Sequence, residues 1–194
     1  MTSFVRFSAA SLLIAAACAP KTPAPSSSAI EPADLYPLHA GNAWSYDVDT
    51  GEASTTLAVT RVETFDGRIA EVHTGHTVLR YEVLVEGIRV PPRDEWILRA
   101  PLEEGATWPG RGGRSARLIA TGMRVETLAG TFERCMEVLE TGGKLEVEVR
   151  TVYCPGVGPV SVDSTMRSNL SDRALTVSAR LRGYEVSPVP SSRR

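Results

Sequence analysis

The sequence predicts an all-β domain: a single antiparallel, strongly curved sheet, an open barrel or a sandwich, with about nine to eleven strands. Three observations predict it. Apolar residues recur with period two, as in Leu79, Tyr81, Val83 and Val85 against Arg80, Glu82 and Glu86, and again in Leu175, Val177, Ala179 and Leu181 against Thr176, Ser178, Arg180 and Arg182. Turn pairs punctuate these runs at Asp66-Gly67, Thr74-Gly75, Gly142-Gly143 and Ser171-Asp172, at spacings too short for crossover helices. No stretch of the body carries the 3.6-residue period of an amphipathic helix. The composition agrees, with 194 residues, 42% apolar, 23% charged and a formal net charge of −2, the balance of one folded domain and not of a disordered chain. The near-neutral charge gives no pull toward nucleic acid.

The N-terminus decides the compartment. Arg6 precedes the apolar run Phe7 to Ala17, which is too short to span a bilayer, and small residues lead into Cys18. Residues 1–17 therefore read as a signal peptide. Ala15-Ala16-Ala17-Cys18 resembles a bacterial lipobox, with Ala15 where Leu is usual, and the resemblance implies diacylglyceryl modification of the Cys18 thiol followed by cleavage. The competing reading is ordinary cleavage at the A-x-A pattern, leaving Cys18 free. Residues 18–34 read as a lipid-anchored linker, because Ala19 to Ser28 is rich in Pro and Ser and has no apolar period. Buried acyl CH₂ groups are worth roughly 0.8 kcal/mol each, so three chains, palmitate among them, would fix the protein to a membrane. Ala19 is not the Asp that retains enterobacterial lipoproteins at the inner membrane, which favours the outer membrane. The β domain is expected over residues 35–187 and a flexible tail over 188–194.

Within the body the hairpin at Gly142-Gly143 offers a register. With Thr141 facing Lys144, Phe132 faces Tyr153, Met136 faces Val149 and Val138 faces Val147, so the large apolar groups share one face. The glycines at Gly41, Gly130, Gly156 and Gly158 permit positive φ or close backbone approach at strand ends, beside the bulky Trp44, Phe132 and Tyr153.

Three segments carry a resemblance. Tyr36-Pro37-Leu38-His39-Ala40-Gly41-Asn42-Ala43-Trp44-Ser45-Tyr46, the stretch Val125 to Val138 with its Ala129-Gly130-Thr131-Phe132 core, and Val152-Tyr153-Cys154-Pro155-Gly156-Val157-Gly158-Pro159-Val160 together resemble a family of bacterial envelope lipoproteins of unknown function, loosely grouped with TapB-type proteins. Leu128, Cys154 and Pro159 depart from the family's usual Pro, Ala and Leu. The resemblance implies an antiparallel, LolA/LolB-like curved sheet in the envelope and brings no catalytic residues.

Functional leads come from cysteines, histidines and arginines. Cys135 and Cys154 fall on the polar face by parity, in a protein bound for an oxidising compartment, so a disulfide is a candidate. The register above places Arg150 opposite Cys135 and leaves Cys154 four positions away, so the bridge requires a bulge or a longer loop. His73 and His76 flank the Thr74-Gly75 turn and, with Glu71, are weak metal candidates; a solvated turn is the plainer reading. Arg111, Arg114, Arg117 and Arg124 occupy a segment without acids between Glu104 and Glu126, and their guanidinium forks suit phosphates or carboxylates. No P-loop or nucleophile elbow is present.

These readings lead to a lipid-anchored envelope β-domain with a non-enzymatic binding or scaffolding role. It would need no cofactor, touch the membrane through its N-terminal lipid, and bind an envelope protein or an apolar or anionic ligand. The first rival is a LolA/LolB-like carrier of lipid or apolar ligand. The second is a hydrolase whose site assembles from distant residues.

Overall fold

The period-two stretches fold as strands because alternate side chains leave a strand on opposite faces, and here only one face is covered. Residues 29–51, 54–143, 146–167 and 174–187 are described in the computed structural model. The signal peptide, Cys18, the spacer through Ser28, Lys144, the Ser171-Asp172 turn and the tail from 188 lie outside the described residues. Twelve strands follow in order: β1 Ala43–Asp49, β2 Thr56–Phe65, β3 Ile69–Thr74, β4 Thr77–Leu84, β5 Gly87–Val90, β6 Glu95–Arg99, β7 Thr107–Pro109, β8 Arg114–Thr127, β9 Gly130–Gly142, β10 Val147–Cys154, β11 Gly158–Arg167 and β12 Ala174–Glu185. The all-antiparallel fold is the expected one, with more strands than the sequence indicated. Four-residue β5 and three-residue β7 are too short to show an alternation.

Each strand pairs with its neighbour in sequence, except that β1 pairs with β12 in the middle of the sheet and β6 and β7 are left as its two edges. The order is that of an up-and-down barrel whose seam lies between consecutive strands instead of at the chain ends. Curling brings the edges together, and the Gly112 N–H donates to the Glu95 carboxylate across the seam at 3.2 Å. The sheet is thus nearly closed into a barrel, which protects both exposed edges from pairing with other chains.

One end of the barrel is plugged. The residues just before the sheet, grouped with the linker in sequence, form a short helix α1 over Pro32–Leu35, started by Pro32 and by a reciprocal cap between Glu31 and Asp34. It is tied to the β10–β11 turn by the Gly156 N–H donating to the Asp34 carbonyl at 2.7 Å. Leu35 and Tyr36 enter the core behind it. Trp44, fully buried, donates its indole N–H to the Val157 carbonyl at 2.6 Å, and the Tyr46 hydroxyl donates to the Pro159 carbonyl at 2.9 Å. Gly158 lies against the indole face: a Cβ there would stand 2.8 Å from Trp44 Nε1, on a backbone with φ of +114°. Buried Asn42 ties both chain ends to this plug, donating to the Pro37 carbonyl at 2.7 Å and accepting the Ser187 N–H at 2.9 Å.

The β9–β10 hairpin differs from the expected register. Gly142 faces Val147, Glu140 faces Val149, Val138 faces Thr151 and Met136 faces Tyr153, so β10 is displaced by four positions from the predicted pairing. The reason is the loop: the strands separate after Gly142, and residues 143–146 make the connection that a two-residue Gly142-Gly143 turn was expected to make. A shift by an even number keeps every side chain on its face, so the apolar pattern is equally satisfied by both registers. Phe132 faces Val125 instead of Tyr153 and meets Tyr184 edge-on at 5.9 Å between ring centroids.

The same displacement forms the disulfide. One step beyond the Met136–Tyr153 pair, Cys135 comes opposite Cys154, with Cα atoms 4.2 Å apart and the sulfurs bonded. Both cysteines are buried, at 0% and 1% exposure, and not on a wet face. Arg134 beside Cys135 takes a left-handed φ of 58°, and the β8–β9 pairing slips around Met123 and Cys135, so simple parity fails there.

Two stability outcomes follow from these contacts. Replacing both cysteines by alanine should remove about 3 kcal/mol through loop entropy, a fall of about 10 °C in thermal melting followed by circular dichroism; an unchanged midpoint would show that the crosslink carries no stability. Gly158→Ala should cost about 3 kcal/mol, from the forced φ and the collision with Trp44, and an equal loss at Gly113→Ala, where the Cβ meets nothing, would show that packing against the indole is not the cause.

Candidate functional site

Above the plug the curved sheet lines a half-open cavity of about 290 Å³. Its wall is built by alternation, because the residues that line it are every second one along their strands. Val48, Ala58, Val72, Val162 and Ala179 from β1, β2, β3, β11 and β12 supply carbon surface; Thr60, Thr74 and Leu79 lie on the same lining. Tyr36, Tyr81 and Tyr153 form an aromatic cluster on the inner side, with Tyr36 5.9 Å from Tyr81 and 6.2 Å from Tyr153 between ring centroids. Burial pushes the hydroxyls of Tyr36, Tyr46, Tyr81 and Tyr153 above the ordinary tyrosine range, so all four stay protonated. At Tyr36, Tyr81 and Tyr153 the nearby Arg111 guanidinium opposes part of that rise.

Arg111 belongs to a one-turn 3₁₀ segment, Arg111–Gly113, between β7 and β8, and it lines the cavity. Its backbone N–H donates to Glu140 Oε1 at 3.0 Å and its Nη2 to Oε2 at 3.2 Å, while Arg114 Nη2 reaches the same Oε2 at 3.3 Å. The Glu140 side chain is 7% exposed. Burial works to lower the pKa of Arg111, but the Glu140 charge and the tyrosines outweigh it, and the guanidinium is held firmly cationic. The Nε atoms of Arg111 and Arg114 are buried with no partner. Gly110 gives this group room, since a Cβ there would stand 2.9 Å from Glu140 Oε1 and 3.3 Å from the Ala116 Cβ.

The four arginines singled out in sequence therefore do not form one patch. Arg114 shares the inward parity of Ala116 and Leu118 on β8, which puts it on Glu140; Arg117 has the opposite parity and is exposed. Arg124, farther along the strand, is an exposed partner of Glu133 at 2.9 Å. The histidine pair is not assembled either. Thr74 faces Thr77, so the turn is Gly75-His76 and His73 faces Val78 instead of His76. His73 contacts Glu71 at 3.1 Å, and Glu71 is also held by Arg80 at 3.2 Å, which together pull that carboxylate below its ordinary range. Among the described residues no group of three or more His, Cys, Asp or Glu is placed to hold a metal ion.

Three residues of the site escaped sequence reasoning. Tyr36 stood only in a segment that carries the resemblance, and Tyr81 only on the apolar face of its strand. Glu140 carried a usable signal, because it has the parity of Met136 and Val138, and a carboxylate on an apolar stripe needs a buried cationic partner. Arg114 on the stripe of Ala116 and Leu118 is the matching signal from the other strand. The assembled site can offer a guanidinium and phenol hydroxyls to an anionic or hydrogen-bonding group, with a carbon-lined wall facing them.

No protein-family model matches the chain, and no curated protein does. Two solved structures are similar to it. One is a protein from Bacteroides fragilis, provisionally described as exported and as having a YmcC-like fold; it is 13% identical, with a TM-score of 0.49, over 78% of this chain and 98% of that one. The other is a protein from Parabacteroides distasonis, provisionally described as a lipoprotein; it is 12% identical, with a TM-score of 0.41, over the same shares of 78% and 98%. Both are distant likenesses and transfer no activity, ligand or compartment to this chain.

Proposed function

We propose that this protein is a lipid-anchored, non-enzymatic component of the bacterial cell envelope that holds a small guest inside its barrel. The anchor is Cys18, with the signal peptide before it and the Pro/Ser-rich spacer after it, and Ala19 favours the outer membrane. The observation that carries the binding role is the cavity: a half-open space of about 290 Å³ on the concave side of the sheet, between carbon walls and a guanidinium. Preformed, mostly apolar space with a few placed polar groups is the form of a ligand site.

What favours this reading over the LolA/LolB-like carrier is that much of the interior is taken up by the protein's own side chains. Leu35, Trp44, Ile88 and Leu98 are fully buried in that core. What remains is a space of about 290 Å³ between carbon walls and a guanidinium. A single short amphiphile fits.

Native mass spectrometry of the full-length protein taken from membranes without denaturation tests both halves. A reproducible small-molecule adduct that is released on unfolding is expected, on a mature chain whose N-terminal Cys18 carries acyl groups. A clean mass for the unliganded protein, unchanged after incubation with total envelope lipid extract, would overturn the binding role, and an unmodified Cys18 would overturn the anchor.

A further inference from the structure

The charges around the cavity narrow the guest, if the binding role above is right. Arg111 and Arg114 both converge on Glu140, so two cations share one anion. Glu95, which the Gly112 N–H reaches at 3.2 Å, is paired with Arg93 at 3.4 Å. Within this cluster two guanidiniums face one carboxylate, so one positive charge is left over beside the cavity. A charge withdrawn from water is costly unless it meets a counter-ion. Arg111 is the member that reaches the cavity, with a third of its side chain still open and three tyrosine hydroxyls around it. The opposite wall, from Val48 through Ala58 to Ala179, offers no charge.

We infer that the cavity selects a small monoanionic amphiphile, a carboxylate on a chain of about octanoate's size, with the head on Arg111 and the chain along the Val48–Ala179 wall. The monoanion matches the single unbalanced charge, and the planar carboxylate matches the guanidinium fork. Tyr36, Tyr81 and Tyr153, held protonated, supply further donors to the head. A neutral alcohol of the same length satisfies the wall but leaves the charge; an alkylammonium adds a second unpaired cation.

Equilibrium dialysis of labelled octanoate, octanol and octylammonium against the full-length lipoprotein in nanodiscs, with empty nanodiscs subtracted, reads the selection directly. Octanoate should bind about tenfold more tightly than octanol, the worth of one charge-assisted bond, and octylammonium should not be retained. Arg111→Gln should weaken octanoate about tenfold and leave octanol unchanged, while Arg111→Lys should keep most of the preference. Ala179→Phe, which fills the uncharged wall, should abolish both ligands, and the unchanged octanol binding of Arg111→Gln guards against a misfolded Arg111 variant. Equal binding of octanoate and octanol would overturn the charge selection and leave the cavity-binding role standing. Octanoate binding that survives Ala179→Phe would overturn the placement. No retention of any of the three, together with no native adduct, would overturn both readings.

Discussion

Everything in this barrel is referenced to Trp44 lying under Gly158. The indole sits at the start of β1 and its hydrogen-bond acceptor, Val157, at the start of β11, 113 positions along the chain. Such a contact can form only when the sheet has curled far enough to bring the two strands onto one end of the barrel. Gly158 lets the backbone lie flat on the ring, and the Tyr46–Pro159 bond repeats the link one pair of residues on. With α1 seated behind it and Asn42 holding both chain ends, the plug converts a long meander into a closed vessel. The chain ends meeting at the β1–β12 pair, with the seam at β6 and β7, follow from that closure.

The plug also joins three segments that lie far apart in sequence. The Tyr36–Tyr46 segment supplies the ring and the hydroxyl, the Val152–Val160 segment the carbonyls and the glycine, and the Val125–Val138 segment reaches the second through the Cys135–Cys154 bond. They form one connected end of the molecule. This supports reading them as fold chemistry, with function placed above the plug.

Above it, the molecule accepts what a well-packed core avoids. Burying Arg111, Arg114 and Glu140 together costs desolvation that a hydrophobic trio would not, and the two unpartnered Nε atoms add to it. Gly110 and the 3₁₀ turn are shaped around that cluster, with the Arg111 amide itself bonded to Glu140. A group that is expensive to keep, held by a backbone adapted to it and facing open space, is more consistent with recognition than with stability.

The alternation of Leu79, Tyr81 and Val83, and of Leu175 to Leu181, was enough to establish an antiparallel all-strand body, because a period of two has one geometric meaning. Parity alone also assigned faces correctly to Tyr81, Val138 and Tyr153. It had no power over register: sliding β10 by four positions leaves each face unchanged, and only the actual loop after Gly142 decided that Cys135 meets Cys154. Likewise the segment from Arg111 to Arg124 was visibly basic, but which guanidiniums turn inward depended on their own parity and on Glu140, contributed by a strand some thirty residues away. Sequence thus determined what is local, namely the strands and their wet and dry sides. Tertiary structure alone decided the closure, the crosslink and the charged cavity, since each requires residues that are remote along the chain to arrive at one point in space.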